Sequence, residues 1–373
     1  MKRPEISRIL FFIILLPALL FFIKSCEMPA TSFDDQENAI YFEKAQKVNA
    51  SQPDSIIKVM TWNIRFGIGR GPWFGDACGY KVIYSANEIM NNLKLIAEKI
   101  NLVKPDILLL QEVDIKSTRS AYINELSWLL DNTYFNYAAY GSQWKAQFIP
   151  SDGLGRMDEG NAILSRWPIS DAIRIQLALR TDQSTAERYF YERCCMVKAR
   201  IEIPGFENLY VVNIHASAFA TDDTKHQHLV EFKDELDHLS ASGSMFVAGG
   251  DLNTLPPGSD STDYCMEDMC PDESFHQPGD NPMHKEGSNY TPEKEWMQPI
   301  YSKFKSVIPL NEYLQNQQIY FTHTTRPEHF WDRTLDYLFT NNRWQSGTTV
   351  VYQDFTKESD HAPVSGELIL IKK

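Results

Sequence analysis

Two short stretches decide the fold of this chain: GGDLNT at residues 249–254 and SDHAPV at residues 359–364. The first directly follows Met245–Ala248, an apolar run with the length of a buried strand. Both stretches place acidic, amide or imidazole side chains beside small residues and Pro, which favour turns. Polar groups are therefore expected where strands give way to loops, and binding and catalytic residues concentrate in such positions.

The same arrangement recurs elsewhere in the sequence. Apolar runs that have the character of strands end at Asn63, at Glu112 and at His215. Asp336 lies inside another apolar run, where an unpaired carboxylate would be costly, so a histidine partner is predicted for it.

Helical periodicity is weaker and lies between these runs. Apolar residues at steps of four, three, four and three, from Ile89 to Val103, predict one amphipathic helix. Two more helices are predicted over about residues 120–131 and 223–240. Many strands separated by a few helices indicate an α+β fold, a layered sandwich with the helices outside.

The chemistry of the strand-end residues narrows the function. The set offers carboxylates, carboxamides and imidazoles, and the chain has no G-x-S-x-G motif that would mark a serine nucleophile. Oxygen-rich ligands suit Mg²⁺, Mn²⁺ or Ca²⁺ better than zinc. A metal ion, a carboxylate base and an imidazole together suit hydrolysis of a phosphate ester by an activated water.

With these residues in view, the chain resembles the endonuclease/exonuclease/phosphatase superfamily. The resemblance covers about residues 55–371 and rests most on the two stretches quoted first. The stretches that carry it are TWNIR (61–65), QEV (111–113), GNAILSR (160–166), VNIH (212–215), GGDLNT (249–254), LDYLF (335–339) and SDHAPV (359–364). It implies the fold of deoxyribonuclease I, a four-layered α/β/β/α sandwich of two packed mixed sheets.

The resemblance also implies roles for metal and water. Glu112 is similar to the main ligand of a Mg²⁺ (or Mn²⁺) ion, with Asn63 beside the metal and phosphate. Asp360 resembles a further acid near the metal. Asp251 resembles the residue that orients or deprotonates the attacking water, with Asn253 beside it.

Two histidines complete the site that the resemblance implies. His361 is similar to the imidazole at the scissile phosphate and is expected to pair with Asp336. His215 resembles a second imidazole that contacts the phosphate, and Glu159 is the candidate for its partner. A carboxylate beside an imidazole raises the imidazole pKa and fixes its tautomer.

The N-terminus predicts export. Basic residues precede a 15-residue apolar run, Ile9–Ile23, which suits a signal peptide better than a membrane span. We expect a signal peptide at residues 1–25, lipidation of Cys26, and an anchored protein outside the inner membrane. Plain secretion and an uncleaved anchor are the alternatives. Residues 26–54 are predicted to be a polar tether, and residues 55–373 the enzyme domain, with an insertion at about 255–300.

Composition bounds the substrate. The chain has 373 residues and a net charge of −13, which argues against strong nonspecific attraction to nucleic acid without excluding a nuclease. A phosphodiesterase or nuclease is the first expectation. A sphingomyelinase-like enzyme acting on a phospholipid headgroup and a sugar or inositol phosphate phosphatase are the alternatives. A monomer is expected. A catalytically dead binding module is disfavoured, because Glu112, Asp251 and His361 are all present.

Overall fold

The fold consists of two mixed sheets of seven strands each, packed face to face with helices on their outer sides. This computed structural model describes residues 30–76, 79–218, 220, 222–261, 293–324 and 330–372. The predicted α+β sandwich is confirmed. The predicted signal peptide, Cys26 and residues 262–292 of the predicted insertion lie outside the described residues. Within the described ranges, no helix combines the length and the apolar character needed to cross a membrane.

Fourteen strands and seven α-helices make up the described part of the chain. The strands are β1 (Gln36–Asn38), β2 (Ile40–Glu43), β3 (Ile56–Asn63), β4 (Ile107–Asp114), β5 (Tyr137–Ile149), β6 (Gly155–Ser165), β7 (Ile169–Gln176), β8 (Cys195–Ile201), β9 (Leu209–His215), β10 (Met245–Asp251), β11 (Lys305–Ser306), β12 (Asp336–Thr340), β13 (Val350–Val351) and β14 (Val364–Ile369). The α-helices are α1 (Ala86–Val103), α2 (Glu125–Asn132), α3 (Thr185–Phe190), α4 (Thr224–Ala241), α5 (Glu293–Trp296), α6 (Gln298–Lys303) and α7 (Leu310–Gln315). Short 3₁₀ turns cover Arg65–Gly67 and Gln317–Tyr320.

Each sheet is built around one parallel pair of strands. The first sheet has the order β13-β14-β3-β4-β6-β5-β2, with β3 and β4 parallel and α1 as the crossover between them. The second has the order β1-β7-β8-β9-β10-β12-β11, with β9 and β10 parallel and α4 as their crossover. The polar strand ends predicted from the sequence belong to these four central strands.

Both faces of the central strands are buried, which explains their continuous apolar sequences. Side chains alternate between the two faces of a strand. Val59 and Leu109 therefore enter the core between the sheets, where they meet Val211 and Val247 from the second sheet. Their sequence neighbours pack outward beneath the helices, as Leu110 does beneath α1 and α2.

The crossover helices form where periodicity predicted them. Ser85 caps α1, because its hydroxyl oxygen accepts from the Glu88 backbone N–H. The Glu88 carboxylate in turn accepts from the Ser85 backbone N–H, which completes a capping box. The predicted helix at 223–240 is α4, and the one predicted at 120–131 is the shorter α2.

The segment predicted to be a polar tether is partly folded into the domain. β1 pairs with β7 at the edge of one sheet, and β2 pairs with β5 at the edge of the other. Residues 36–43 were not predicted as strands because β1 and β2 are short edge segments. Their side chains are mostly exposed and the apolar run Ala39–Phe42 is only four residues long, so pairing with β7 and β5 defines them as strands.

A buried polar bridge fixes one sheet against the other below the site. The Asn213 amide nitrogen donates to the carbonyl oxygens of Leu110 and Ala162, each at 2.8 Å. The Gln111 amide nitrogen donates to Asn213 Oδ1 at 2.6 Å. Because all of these groups are inaccessible to water, the bridge favours one register of the two sheets over any slipped packing.

Candidate active site

The predicted strand-end residues converge at one end of the sandwich. His215 and Asp251 are the last residues of the parallel strands β9 and β10 and are register partners. Asp336 opens the antiparallel strand β12 directly beside Asp251. Asn63 ends β3 in the facing sheet, and its side chain reaches Asp251, so residues from both sheets share one site.

A bulge in β4 places Glu112 in this site. The register of β4 against β6 shifts between Leu110 and Val113, and Glu112 has a left-handed φ of 54°. Such a conformation is rare for a residue other than glycine and is typical of functional sites. The bulge interrupts strand alternation and thereby turns the Glu112 carboxylate toward Asn63 and His215.

The glycine pair before Asp251 permits close strand packing. A Cβ atom on Gly249 would lie 1.8 Å from the Tyr337 carbonyl oxygen. One on Gly250, whose φ is +137°, would lie 2.0 Å from the Ile214 carbonyl oxygen. Any larger residue would push β10 away from β9 or β12 and displace Asp251.

Asn63 joins two carboxylates of the site. Its Nδ2 donates to Glu112 Oε1 at 2.8 Å and to Asp251 Oδ2 at 3.1 Å. Its Oδ1 accepts the Arg65 backbone N–H at 2.9 Å and retains a second lone pair. The structure thus places Asn63 beside Glu112 and Asp251, and its role as a metal ligand stays a prediction.

His361 and Asp336 form the predicted pair. His361 Nδ1 donates to Asp336 Oδ2 at 2.8 Å, and Nε2 lies 3.5 Å from Asp251 Oδ2. Burial by itself would lower the pKa of His361, but the carboxylates of Asp336 and Asp251 outweigh burial and raise it to about 10. Burial also raises the pKa of Asp336, to about 6, against the opposing effect of His361. At neutral pH the pair is therefore an imidazolium and a carboxylate.

The loop that carries His361 is fixed by hydrogen bonds to β3. Ser359 Oγ donates to the Asn63 carbonyl oxygen at 2.8 Å and accepts the His361 backbone N–H at 3.1 Å. The Trp62 indole N–H donates to the His361 carbonyl oxygen at 2.9 Å. Because the imidazole and its partner carboxylate come from different sheets, these bonds hold the pair together without movement of either sheet.

Asp360 lies at the edge of the site beside Arg65. Its Oδ2 is 3.0 Å from Arg65 Nε, and its Oδ1 is 3.2 Å from Ser359 Oγ. Burial would raise the pKa of Asp360, but Arg65, together with His361 and Arg70, outweighs burial and lowers it. Arg65 also pairs with Asp76. Asp360 thus anchors a buried arginine, and its role near a metal stays a prediction.

Asn253 supports Asp251. Its backbone N–H donates to Asp251 Oδ1 at 2.9 Å, and its Nδ2 donates to the Ala216 carbonyl oxygen at 2.9 Å. Its φ of 48° lies in the left-handed region, which asparagine tolerates better than most residues. Asn253 therefore orients one oxygen of Asp251 and leaves the other, Oδ2, toward the two imidazoles.

His215 lies in the site, but Glu159 is not its partner. His215 Nε2 is 3.8 Å from Glu112 Oε1 and 3.6 Å from Asp251 Oδ2, and Nδ1 lies 3.0 Å from Gln143 Nε2. Glu159 instead lies 3.3 Å from the guanidinium of Arg119. Burial and the nearby acids Glu192 and Glu112 raise the pKa of Glu159 well above its ordinary value. The spacing of residues in the sequence could not show that Glu159 pairs with Arg119 and His215 with Gln143.

The geometry agrees with what comparison with known proteins shows. The sequence profile of the Endonuclease/Exonuclease/phosphatase family matches residues 60–361, which is most of the chain. The chain belongs to this family. Its members are phosphoric ester hydrolases, so this chain is a phosphoric ester hydrolase. The family as a whole depends on a divalent metal. No sequence among the curated proteins matches it significantly.

Several solved structures share the fold. A protein of Beutenbergia cavernae DSM 12333, described as an endonuclease/exonuclease/phosphatase, is 21% identical with a TM-score of 0.53, over 85% of this chain and 72% of that one. A family protein from Leptotrichia buccalis C-1013-b is 15% identical with a TM-score of 0.50, over 84% and 99%. A functionally unknown conserved protein from Enterococcus faecalis V583 is 14% identical with a TM-score of 0.50, over 85% and 100%. Identities this low show the fold alone.

The donor set fits the divalent metal on which the endonuclease/exonuclease/phosphatase family depends. The carboxylates of Glu112 and Asp251 lie on either side of one amide group, that of Asn63. Carboxylates held this close repel each other unless positive charge lies nearby. Oxygen ligands of this kind suit Mg²⁺ or Mn²⁺. Ligand atoms of Asp251, Asp336 and His361 also lie within 4.8 Å of one another, as do those of His323, Asp360 and His361.

Three residues of the site were not predicted. Arg65 lies inside one of the family stretches, two residues after Asn63, and that position is the signal that could have identified it. His323 packs against His361 with the ring centroids 4.3 Å apart, and Gln143 contacts His215. Both come from segments without a motif, so only the tertiary structure reveals them.

Proposed function

We propose that this member of the family is a divalent-metal-dependent phosphodiesterase, in which a water activated at Asp251 attacks a phosphodiester held by His361. The observation that carries the proposal is the ordered contact of Asp336, His361 and Asp251. A lasting positive charge on His361 is what a phosphodiester anion requires. Asp251, with one oxygen fixed by Asn253, supplies the carboxylate that takes a proton from water.

Some residues of the chain stabilise charge at the phosphate, and others orient the groups that do so. His361 donates from Nε2 to a phosphoryl oxygen and stabilises the charge that grows there during attack. His215 offers a second ring nitrogen, 3.6 Å from Asp251 Oδ2. Asn63 and Asn253 hold the carboxylates in place. A bound Mg²⁺ or Mn²⁺, held by Glu112 with Asp251 nearby, supplies further neutralisation of phosphate charge.

The substrate class proposed first is a nucleic acid or another phosphodiester. A phospholipid headgroup diester and a sugar or inositol phosphate are the alternatives. A net charge of −13 favours a substrate recognised by local contacts over one drawn in by a long-range positive field. We further propose a lipid anchor at Cys26 that holds the enzyme at the cell envelope, because a basic and then apolar segment precedes that cysteine. Palmitate labelling that survives Cys26→Ser would contradict the anchor.

The test compares substrates under one set of conditions. Purified protein is given bis-p-nitrophenyl phosphate, p-nitrophenyl phosphate, plasmid DNA and sphingomyelin, each with Mg²⁺ or Mn²⁺. Cleavage of a diester that disappears with chelator, returns with metal and is absent in His361→Ala supports the proposal. Cleavage of the monoester alone would assign a phosphatase. Activity that resists chelation, or that persists in folded His361→Ala, would overturn the mechanism.

A further inference from the structure

The partner of His215 is a carboxamide and not a carboxylate. Gln143 Nε2 lies 3.0 Å from His215 Nδ1, and both side chains are buried. Gln143 lies in β5 where the register against β6 shifts, between Ser142 and Trp144. The backbone N–H of Arg193 donates to the backbone carbonyl oxygen of Gln143 at 2.6 Å, so the main chain that carries the side chain is held at this bulge.

A chain of hydrogen bonds determines which end of the Gln143 amide faces the imidazole. The Cys195 carbonyl oxygen can only accept, so the atom of Asn161 that lies 2.9 Å from it is the amide nitrogen. That same nitrogen lies 3.4 Å from Gln143 Oε1 and donates to it. Gln143 therefore turns its NH₂ group toward His215, because the reversed amide would place two donors against each other at Asn161.

We propose that Gln143 is the positioning residue of His215 and fixes it as the tautomer with its proton on Nε2. An NH₂ group donates and cannot accept, so His215 Nδ1 must accept and cannot carry a proton. The ring proton then lies on Nε2, the nitrogen that is 3.6 Å from Asp251 Oδ2 and 3.8 Å from Glu112 Oε1. His215 thus presents an N–H donor to the place where the two carboxylates meet.

This inference rests on the proposed function only for its kinetic consequence. A phosphoryl oxygen bound between the imidazoles needs a donor on each side, and the Gln143 amide supplies that donor without adding a buried charge. A carboxylate at position 143 would reverse the tautomer, because it would require a proton on Nδ1. The Gln143 amide therefore determines which ring nitrogen of His215 donates to the substrate, although the amide does not itself contact the reacting atoms.

The direct test is nitrogen-15 NMR of the histidine rings in the purified protein. Signals of His215 are assigned by their loss in His215→Gln. The wild-type spectrum is expected to show an unprotonated Nδ1 and a protonated Nε2, a result that does not depend on any activity. Gln143→Glu is expected to move a proton to Nδ1. Gln147→Glu, the same change at an exposed position of β5, is the control and is expected to leave the spectrum unchanged.

Kinetics then separates positioning from structure. Gln143→Glu and Gln143→Leu are expected to lower kcat by roughly 10–100-fold with little change in KM, as loss of a residue that orients a catalytic imidazole does. A proton on Nδ1 in the wild type, or an unchanged His215 spectrum in folded Gln143→Glu, would overturn the assignment. The wild-type spectrum remains decisive if the glutamate variant does not fold. Absence of activity on every phosphate ester would overturn the proposed function and leave the spectroscopic result standing.

Discussion

The two imidazoles of the site lie at similar distances from one carboxylate oxygen, but their partners differ in charge. His361 is 3.5 Å and His215 3.6 Å from Asp251 Oδ2. The Nδ1 of His361 donates to the Asp336 carboxylate, whereas the Nδ1 of His215 faces the Gln143 amide. The Asp336 carboxylate thereby holds His361 as a cation, whereas the amide partner of His215 carries no charge.

The difference shows how one acidic site avoids accumulating charge. Two imidazolium ions beside each other would repel. A carboxylate as the partner of His215 would add a further negative charge to those of Glu112, Asp251 and Asp336. An amide partner orients the second ring without either penalty. The chain therefore provides one imidazole paired with a carboxylate and one paired with an amide, and the predictions test that difference.

The largest effect is expected from removing the charged ring. His361→Ala should lower kcat/KM by about 10³-fold or more, because it removes both a donor and the positive charge at the phosphate. His215→Ala removes a donor alone and should lower kcat/KM by about 10²-fold. The measurement is steady-state hydrolysis of bis-p-nitrophenyl phosphate by variants whose circular dichroism matches the wild type. Equal losses in the two variants would contradict the division of roles.

The next effect concerns the partner of the charged ring. Asp336→Asn keeps the shape of the side chain but removes the charge that holds the pKa of His361 near 10. Activity that requires the imidazolium is lost as pH rises through that pKa. The alkaline limb of the kcat profile should therefore move in Asp336→Asn from about 10 toward the ordinary value of 6.5. At pH 8 a pKa of 6.5 leaves about 3% of the imidazole protonated, so the variant should be about 30-fold slower. An alkaline limb that does not move would remove the dyad from the mechanism.

Most of the fold could be predicted from the sequence because the central strands are buried on both faces. Their apolar runs are long enough to recognise alone, and the crossover helices have clear periodicity. The edge strands β1 and β2 and the long strand β5 could not be predicted. The residues of β1 and β2 are exposed or half-buried, and those of β5 mix polar and apolar types without a regular period, so pairing with distant segments defines these strands.

The site divides in the same way. Residues at the ends of recognisable strands, such as Glu112, His215 and Asp251, could be predicted to lie together because parallel strands end at one edge. Their partners depend on packing between segments that are far apart in the sequence. The Gln143 and His215 pair spans 72 residues and joins one sheet to the other, so no local pattern could have predicted it.

Stability should also distinguish the charged ring. The folded-state pKa of His361, about 10, exceeds its ordinary value of 6.5, so the folded protein binds this proton more tightly. The stabilisation is complete below pH 6.5 and is lost as pH rises toward 10. Asp336 does not obscure this range, because its own pKa of about 6 lies below it.

Urea unfolding of protein treated with chelator measures this loss. Between pH 6.5 and 10 the free energy of unfolding should fall in the wild type, relative to Asp336→Asn, by on the order of 3 kcal/mol. Comparison with the variant removes the contribution of other groups that titrate in the same range. Parallel curves for the two proteins would show that His361 carries no extra proton in the folded state.

The smallest effect is expected at Glu159, the residue predicted from the sequence to be the partner of His215. Its carboxyl group contacts Arg119 and not His215, and glutamine keeps the size of the side chain and an oxygen that can accept from Arg119. Glu159→Gln should therefore change kcat by less than about threefold and the free energy of unfolding by about 1 kcal/mol or less. Gln143→Leu, measured beside it, provides the contrast because it removes the actual partner. A large kcat loss in Glu159→Gln without loss of stability would mean that His215 depends on a carboxylate after all, and the two rings would then be alike.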